Sequence, residues 1–182
     1  GLTKEFSVVT DTVSISVERL NDAPTGGVSI TGVATEGRVL AADTSALADA
    51  DGLGVLSYQW SRDGVEVGGA TGSTYTLTQA DVGAEITVTV SYTDAYSTAE
   101  SVTSAATLAV ANENDLPTGD VIITGVATED EVLGVDTSAL ADEDGLGTLS
   151  YHWSRDGVEV GGATGSTYTL AQADVGNAIT VT

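Results

Sequence analysis

The side chains able to do chemistry in this sequence are carboxylates, and they come in spaced pairs. The stretch ADADGLG at residues 48–54 carries Asp49 and Asp51 two residues apart, followed by a glycine that permits a sharp turn. ADEDGLG at residues 141–147 repeats the arrangement with Asp142 and Asp144. Calcium takes about 6–8 oxygens at roughly 2.3–2.6 Å, and short acidic loops supply them without a dedicated cage. Asp and Gly are also ordinary turn residues, so a solvated acidic turn is the plainer reading of either motif alone. Two linkers add to it. RLNDAPTG (19–26) and NENDLPTG (112–119) each place Asn-Asp two residues before a proline, which holds the chain extended and leaves those oxygens at a segment boundary. The expected Ca2+ ligands are therefore Asn21, Asp22, Asp49 and Asp51 in the first copy. In the second they are Glu113, Asn114, Asp115, Asp142 and Asp144, with Glu36 and Glu129 as further oxygen sources. An ion shared by linker and loop would offset carboxylate repulsion and stiffen the joint.

Other chemistries fall away. His152 is the single histidine, its counterpart in the other copy is Gln59, and there is no cysteine. Ser–His–Asp and Cys–His machinery therefore cannot form, and neither can disulfides or thiolate-bound zinc. The paired carboxylates lack the neighbouring aromatic platform that glycoside hydrolysis would need. GGATGS at residues 68–73 has no following helix or lysine and reads as a loop, not a phosphate cradle. No enzyme activity is expected. Lys and Arg number 5 against 27 acidic residues, a formal net charge of −22, which excludes nucleic acid and anionic membrane surfaces as partners and favours divalent cations. Lys4 is the only lysine, so Lys–Asn isopeptide cross-links are not available to the repeats. No apolar run approaches the roughly 20 residues that span a bilayer, so membrane insertion is not expected. No signal peptide is evident, and any export signal is expected to lie outside these residues.

The elements that must position the acids are repeated. NDAPTGGVSITGVATEGRVL, from Asn21, returns 93 positions later as NDLPTGDVIITGVATEDEVL, from Asn114. SRDGVEVGGATGSTYTL is unchanged between the copies. Residues 86–94 (ITVTVSYTD) and 55–62 (VLSYQWSR) alternate with period two, the latter with Leu56, Tyr58 and Trp60 on one face. Shorter strands are expected around Val28 and Ile30, Val39 and Ala41, and Tyr75 and Leu77, with a closing strand over residues 101–111. Asp63-Gly64 is a two-residue hairpin signal, and residues 79–83 are the single helical turn. Trp60 and Trp153 read as core. About seven short strands per copy predict a β-sandwich. Residues 1–20 are expected to be the terminal strand of a preceding domain, 21–113 one Ig-like sandwich, and 114–182 a second lacking its last strand. Either the chain belongs to a longer one, or one copy's leading strand completes another's trailing domain.

Family resemblance sharpens this. Asn114-Asp115-Leu116-Pro117 resembles the calcium linker of cadherin-type domains. ALADADGLGVLSYQW is similar to the cadherin pattern of paired aspartates leading into a strand with Tyr. YQWSRDGVEVGGATGSTYTLTQADVGAEITVTV instead resembles bacterial Ig-like repeats, in which Trp60 would pack the core and Asp81-Val82-Gly83 form a turn; the Ig cysteines are absent. Over nearly its whole length the pattern resembles repeats of giant bacterial surface adhesins, including those with RTX secretion ends, although no RTX nonapeptide is present. The resemblance implies an all-β fold of tandem Ig-like/cadherin-like Greek-key β-sandwiches arranged end to end. It also implies an extracellular place, on the bacterial cell surface or secreted, and a spacer role in adhesion or biofilm, with structural Ca2+ and neighbouring repeats as partners. Two alternatives stand beside it. One is a filament subunit joining identical chains by donor-strand exchange. The other is a carbohydrate-binding module, for which Tyr92 and Tyr96 are the aromatic candidates.

Overall fold

The computed structural model describes residues 13–182. It is all-β, with two three-residue 3-10 turns as the helical segments among the described residues. These residues group into two compact units: 13–32, 40–75 and 86–107 in the first, and 33–39, 76–85 and 108–182 in the second. No helix among the described residues is long and apolar enough to cross a membrane.

In the first unit β3 (Ser57–Arg62), β4 (Val65–Glu66), β6 (Ile86–Thr93) and β7 (Ala99–Thr103) form one antiparallel sheet in the order β4-β3-β6-β7. Period-two alternation makes β6: Ile86, Val88, Val90 and Tyr92 are buried while the residues between them are more exposed, as side chains on a strand point alternately to opposite faces. In register with it, Trp60 lies opposite Val88 and Tyr58 opposite Val90. Trp60 is fully buried, its indole N–H donates to the Gly72 carbonyl at 2.9 Å, and its ring stacks on Tyr75 at 5.7 Å. A buried indole needs such a partner for its N–H. The expected Asp63-Gly64 hairpin is present with φ of 46° and 79°, the doubly positive pair a type I′ turn requires. The strand expected from residue 55 begins at Ser57, leaving Val55 exposed. A second sheet has the order β1-β2-β5, from β1 (Ser29–Thr31), β2 (Val39–Asp43) and β5 (Thr74–Thr76).

The second unit contains β8 (Ile122–Thr124), β9 (Val132–Asp136) and β12 (Thr167–Thr169) in one sheet. β10 (Trp153–Arg155), β11 (Val158–Glu159) and β13 (Ile179–Val181) form another. Leu133, Trp153 and Leu170 are its buried cluster, flanked by Ile123, Val135, Tyr168 and Ile179. Trp153 repeats the Trp60 arrangement, donating to Gly165 at 2.9 Å and stacking on Tyr168 at 5.4 Å. The closing strand expected over residues 101–111 is split: β7 ends at Thr103, and Val110 and Ala111 make isolated parallel bridges to Val82 and Thr35. Of the terminal strand expected over residues 1–20, residues 1–12 lie outside the described residues. Residues 13–20 form no strand, and Val13, Ile15, Val17 and Leu20 are exposed.

Candidate metal centre

Each linker is held against its aspartate loop by the same small latch. Thr25 and Ala48 exchange backbone hydrogen bonds of 2.7 and 2.9 Å, as do Thr118 and Ala141. Beside each bridge sits a glycine in the left-handed region, Gly26 at φ +75° and Gly119 at φ +89°. A Cβ there would lie 1.8 Å from the Ala46 carbonyl oxygen or 1.9 Å from that of Ala139, so only glycine lets the linker approach this closely. The loops then close on their own aspartates. Asp51 N–H donates to Asp49 Oδ1 at 2.7 Å, and Asp144 N–H to Asp142 Oδ1 at 2.9 Å. The second aspartate of each pair accepts the linker: Asp22 N–H donates to Asp51 Oδ2 and Asp115 N–H to Asp144 Oδ2, both at 2.8 Å. Linker and loop therefore meet in both copies through backbone hydrogen bonds to carboxylates.

The two copies differ in what surrounds the latch. In the second unit Glu36, Asp115 and Glu143 each bring a carboxylate oxygen to within 4.8 Å of the others. Glu36 is buried, and its carboxyl is pushed above the ordinary range, first by burial and then by the charges of Asp115, Asp144 and Glu143, with a backbone hydrogen bond from Glu113 acting the other way. Like charges at this spacing disfavour ionisation unless a cation joins them. Glu113 makes a 3.4 Å ion pair with Arg38, both side chains being largely exposed, and Asn114 donates to the Asp115 carbonyl at 2.6 Å. Glu129, expected as a further ligand, faces the Gln172 amide instead. Glu143 was not among the expected ligands. Its signal is an acid between two acids, where the first copy has Ala50. An all-oxygen donor set of carboxylates fits a hard divalent cation such as Ca2+ or Mg2+.

In the first unit the second aspartate of the loop is paired with a positive charge. Arg19 forms an ion pair with Asp51, whose side chain is almost fully buried, and its guanidinium lies 3.6 Å from the Tyr96 ring centroid. The oxygens of Asp49 accept from Asp51 N–H and, at 2.6 Å, from the Tyr92 hydroxyl. Asn21 donates to Glu100 at 2.8 Å. Asp94 accepts from the Tyr96 and Thr98 N–H groups at 2.8 Å through Oδ1, while its buried Oδ2 has no hydrogen-bond partner. Of the expected ligands Asn21, Asp22, Asp49 and Asp51, the last is thus paired with Arg19. Tyr92 is buried, and Tyr96 is exposed with the Arg19 guanidinium over one face of its ring. His152, just before β10, contacts Glu159 at 3.2 Å in an exposed position. No family model and no curated protein matches this chain.

Proposed function

We propose that this chain is a spacer segment of an extracellular bacterial adhesin, built of tandem Ig-like Greek-key β-sandwiches, in which Ca2+ bound beside the second linker sets the stiffness of the array. It works as a structural element and performs no catalysis. The observation that carries this reading is the convergence of Glu36, Asp115 and Glu143, which lie far apart in sequence, within 4.8 Å. Glu36 comes from the first repeat, Asp115 from the linker and Glu143 from the second loop, so an ion held by all three would tie them together. Extracellular modules bind Ca2+ at about 10⁻⁴–10⁻³ M. The test is small-angle scattering of the chain at millimolar Ca2+ and in chelator. Chelation is expected to broaden the distribution of chain dimensions, and Glu143→Gln is expected to show the broad distribution at any Ca2+ level. Identical profiles in both buffers would sink the reading.

A second reading, assembly by donor-strand exchange, is favoured by a groove. In the first repeat Val110 and Ala111 lie in a slot, with Gly83 N–H donating to Val110 O, Val110 N–H to Ala84 O and Glu36 N–H to Ala111 O, each at 2.9 Å. The matching residues of the second repeat, Glu129, Gly176 and Asn177, line a cavity of about 380 Å³ together with Leu170 and Ile179. By the repeat offset, residues 13–18 (VSISVE) correspond to 106–111. Their Val13, Ile15 and Val17 are exposed, as a strand offered to a second copy would be. Light scattering separates the readings: exchange gives oligomers that grow with concentration and are lost in Val17→Asp, whereas a spacer stays monomeric.

A further inference from the structure

We infer that Arg19 is a built-in counter-ion of the first acidic loop, so that the carboxylates of Asp22, Asp49 and Asp51 take a divalent cation only when Arg19 is removed. The inference rests on the proposed ion site at the second linker and assigns the first its own, protein-borne cation.

The repeat supplies the comparison. At the 93-residue offset Arg19 stands where the second copy has Asn112, Leu20 where it has Glu113, and Ala50 where it has Glu143. All three differences reduce negative charge. Among the matching positions the first copy has Arg19, Asp22, Asp49 and Asp51, a net charge of −2, and the second has Glu113, Asp115, Asp142, Glu143 and Asp144, a net charge of −5, with Arg38 paired to Glu113 beside them.

The geometry shows what the guanidinium does with that difference. Asp51 is 3% exposed, and a carboxylate so deeply placed is costly unless paired and hydrogen-bonded. One of its oxygens receives the Asp22 N–H and the other receives Arg19, so the side chain is satisfied without an ion. Tyr96 covers the guanidinium face, an arrangement that suits its planar, weakly hydrated charge. Asp94 is 6% exposed and its Oδ2 is unpartnered. The Thr98 N–H bond to Oδ1 does most to favour its ionised form, and the Arg19 charge adds to it. Because arginine stays protonated at all physiological pH values, this latch is closed irrespective of Ca2+. The second can open when Ca2+ falls. The chain would thus have one linker tied to its loop by its own charge and one whose carboxylates call for an ion.

The test counts bound Ca2+ by calorimetric titration of the intact chain, Arg19→Asn, Glu143→Gln and the double variant, with circular dichroism confirming the fold of each. The intact chain is expected to bind at the second linker only, and Glu143→Gln to lose that ion. Arg19→Asn should gain one ion, the double variant should retain the gained one, and Arg19→Lys should behave as the intact chain does. Arg19→Gln repeats the measurement with a longer neutral side chain if Asn unfolds the loop. The melting temperature of Arg19→Asn should fall in chelator and recover in millimolar Ca2+. A folded double variant that binds no ion overturns the inference. So does a Glu143→Gln chain that still binds an ion removable by Asp51→Asn. If the intact chain binds nothing while the double variant binds one, the ion site at the second linker is lost and the role of Arg19 stands.

Discussion

Asp174 shows how one buried carboxylate fixes a turn in this chain. It is 5% exposed and receives the Ala171 N–H at 2.8 Å, the Tyr168 hydroxyl at 2.8 Å and Arg155 Nε at 2.6 Å. Burial alone would raise its pKa, but these three donors outweigh it and hold the carboxyl below the ordinary range. A group depressed in the folded state contributes stability at pH values above its unfolded pKa, about 3.9, and loses that contribution as pH falls through its folded pKa. Asp174→Asn is therefore expected to cost about 1.5–3 kcal/mol at neutral pH, the range for a hydrogen bond to a charged group. The deficit should shrink once the intact chain is itself acidified through that lowered folded pKa. Urea titrations of both chains at neutral and acid pH check this, and a deficit that stays constant with pH would count against the role given to the charge. The repeated Tyr–Leu strand and the QAD turn place this aspartate in the sequence. Its bond to Arg155 is not legible there, because nothing local ties a residue in one strand to a turn 19 positions later.

At the scale of elements, the latch between linker and loop depends on backbone approach more than on side chains. Gly119 sits at φ +89° with a would-be Cβ 1.9 Å from a backbone oxygen, whereas Gly157, at φ +78° in the Asp156-Gly157 hairpin, has open space around it. Gly119→Ala meets both a disfavoured dihedral and a clash that no rotamer relieves, so it should destabilise by well over the roughly 1 kcal/mol expected for Gly157→Ala. It should also weaken Ca2+ binding, since Asp115 follows the linker. Denaturation and calorimetry of the two variants side by side measure both effects; equal costs would mean that the latch is not close-packed. The sequence reveals much at this scale and fails at a definable point. Period-two alternation located β6 and both tryptophans, and Asp63-Gly64 gave its turn, because those signals are local. The meeting of Glu36 with Asp115 is set by how distant segments pack, and no spacing encodes it. Arg19 went unread as a base in the linker, and its pairing with Asp51 is not local, since it needs the Thr25–Ala48 bridge to bring the linker to the loop.

Across the whole molecule the dominant physical fact is a charge of −22 with only 5 basic residues. Such a chain repels itself, and added salt of any kind relieves this by shortening the Debye length from about 10 Å at 0.1 M to about 3 Å at 1 M. Screening and site binding therefore both stabilise, and they must be separated by their form. Screening depends on ionic strength, is gradual, and treats Mg2+ and Ca2+ nearly alike at matched strength. A site saturates, and by linkage it contributes RT ln(1 + [L]/Kd), which at 1 mM Ca2+ is about 0.4 kcal/mol for a Kd of 10⁻³ M and about 1.4 kcal/mol for 10⁻⁴ M. At constant ionic strength, replacing Na+ by 1 mM Ca2+ should thus raise the melting temperature of the intact chain by roughly 1–5 °C. The rise should saturate and should vanish in Glu143→Gln. Both chains should share the same gradual gain from NaCl. A Ca2+ effect that Glu143→Gln retains in full would assign all of the stabilisation to general screening of the acidic surface, because that substitution removes one of 27 acidic side chains but one of the three carboxylates in the cluster.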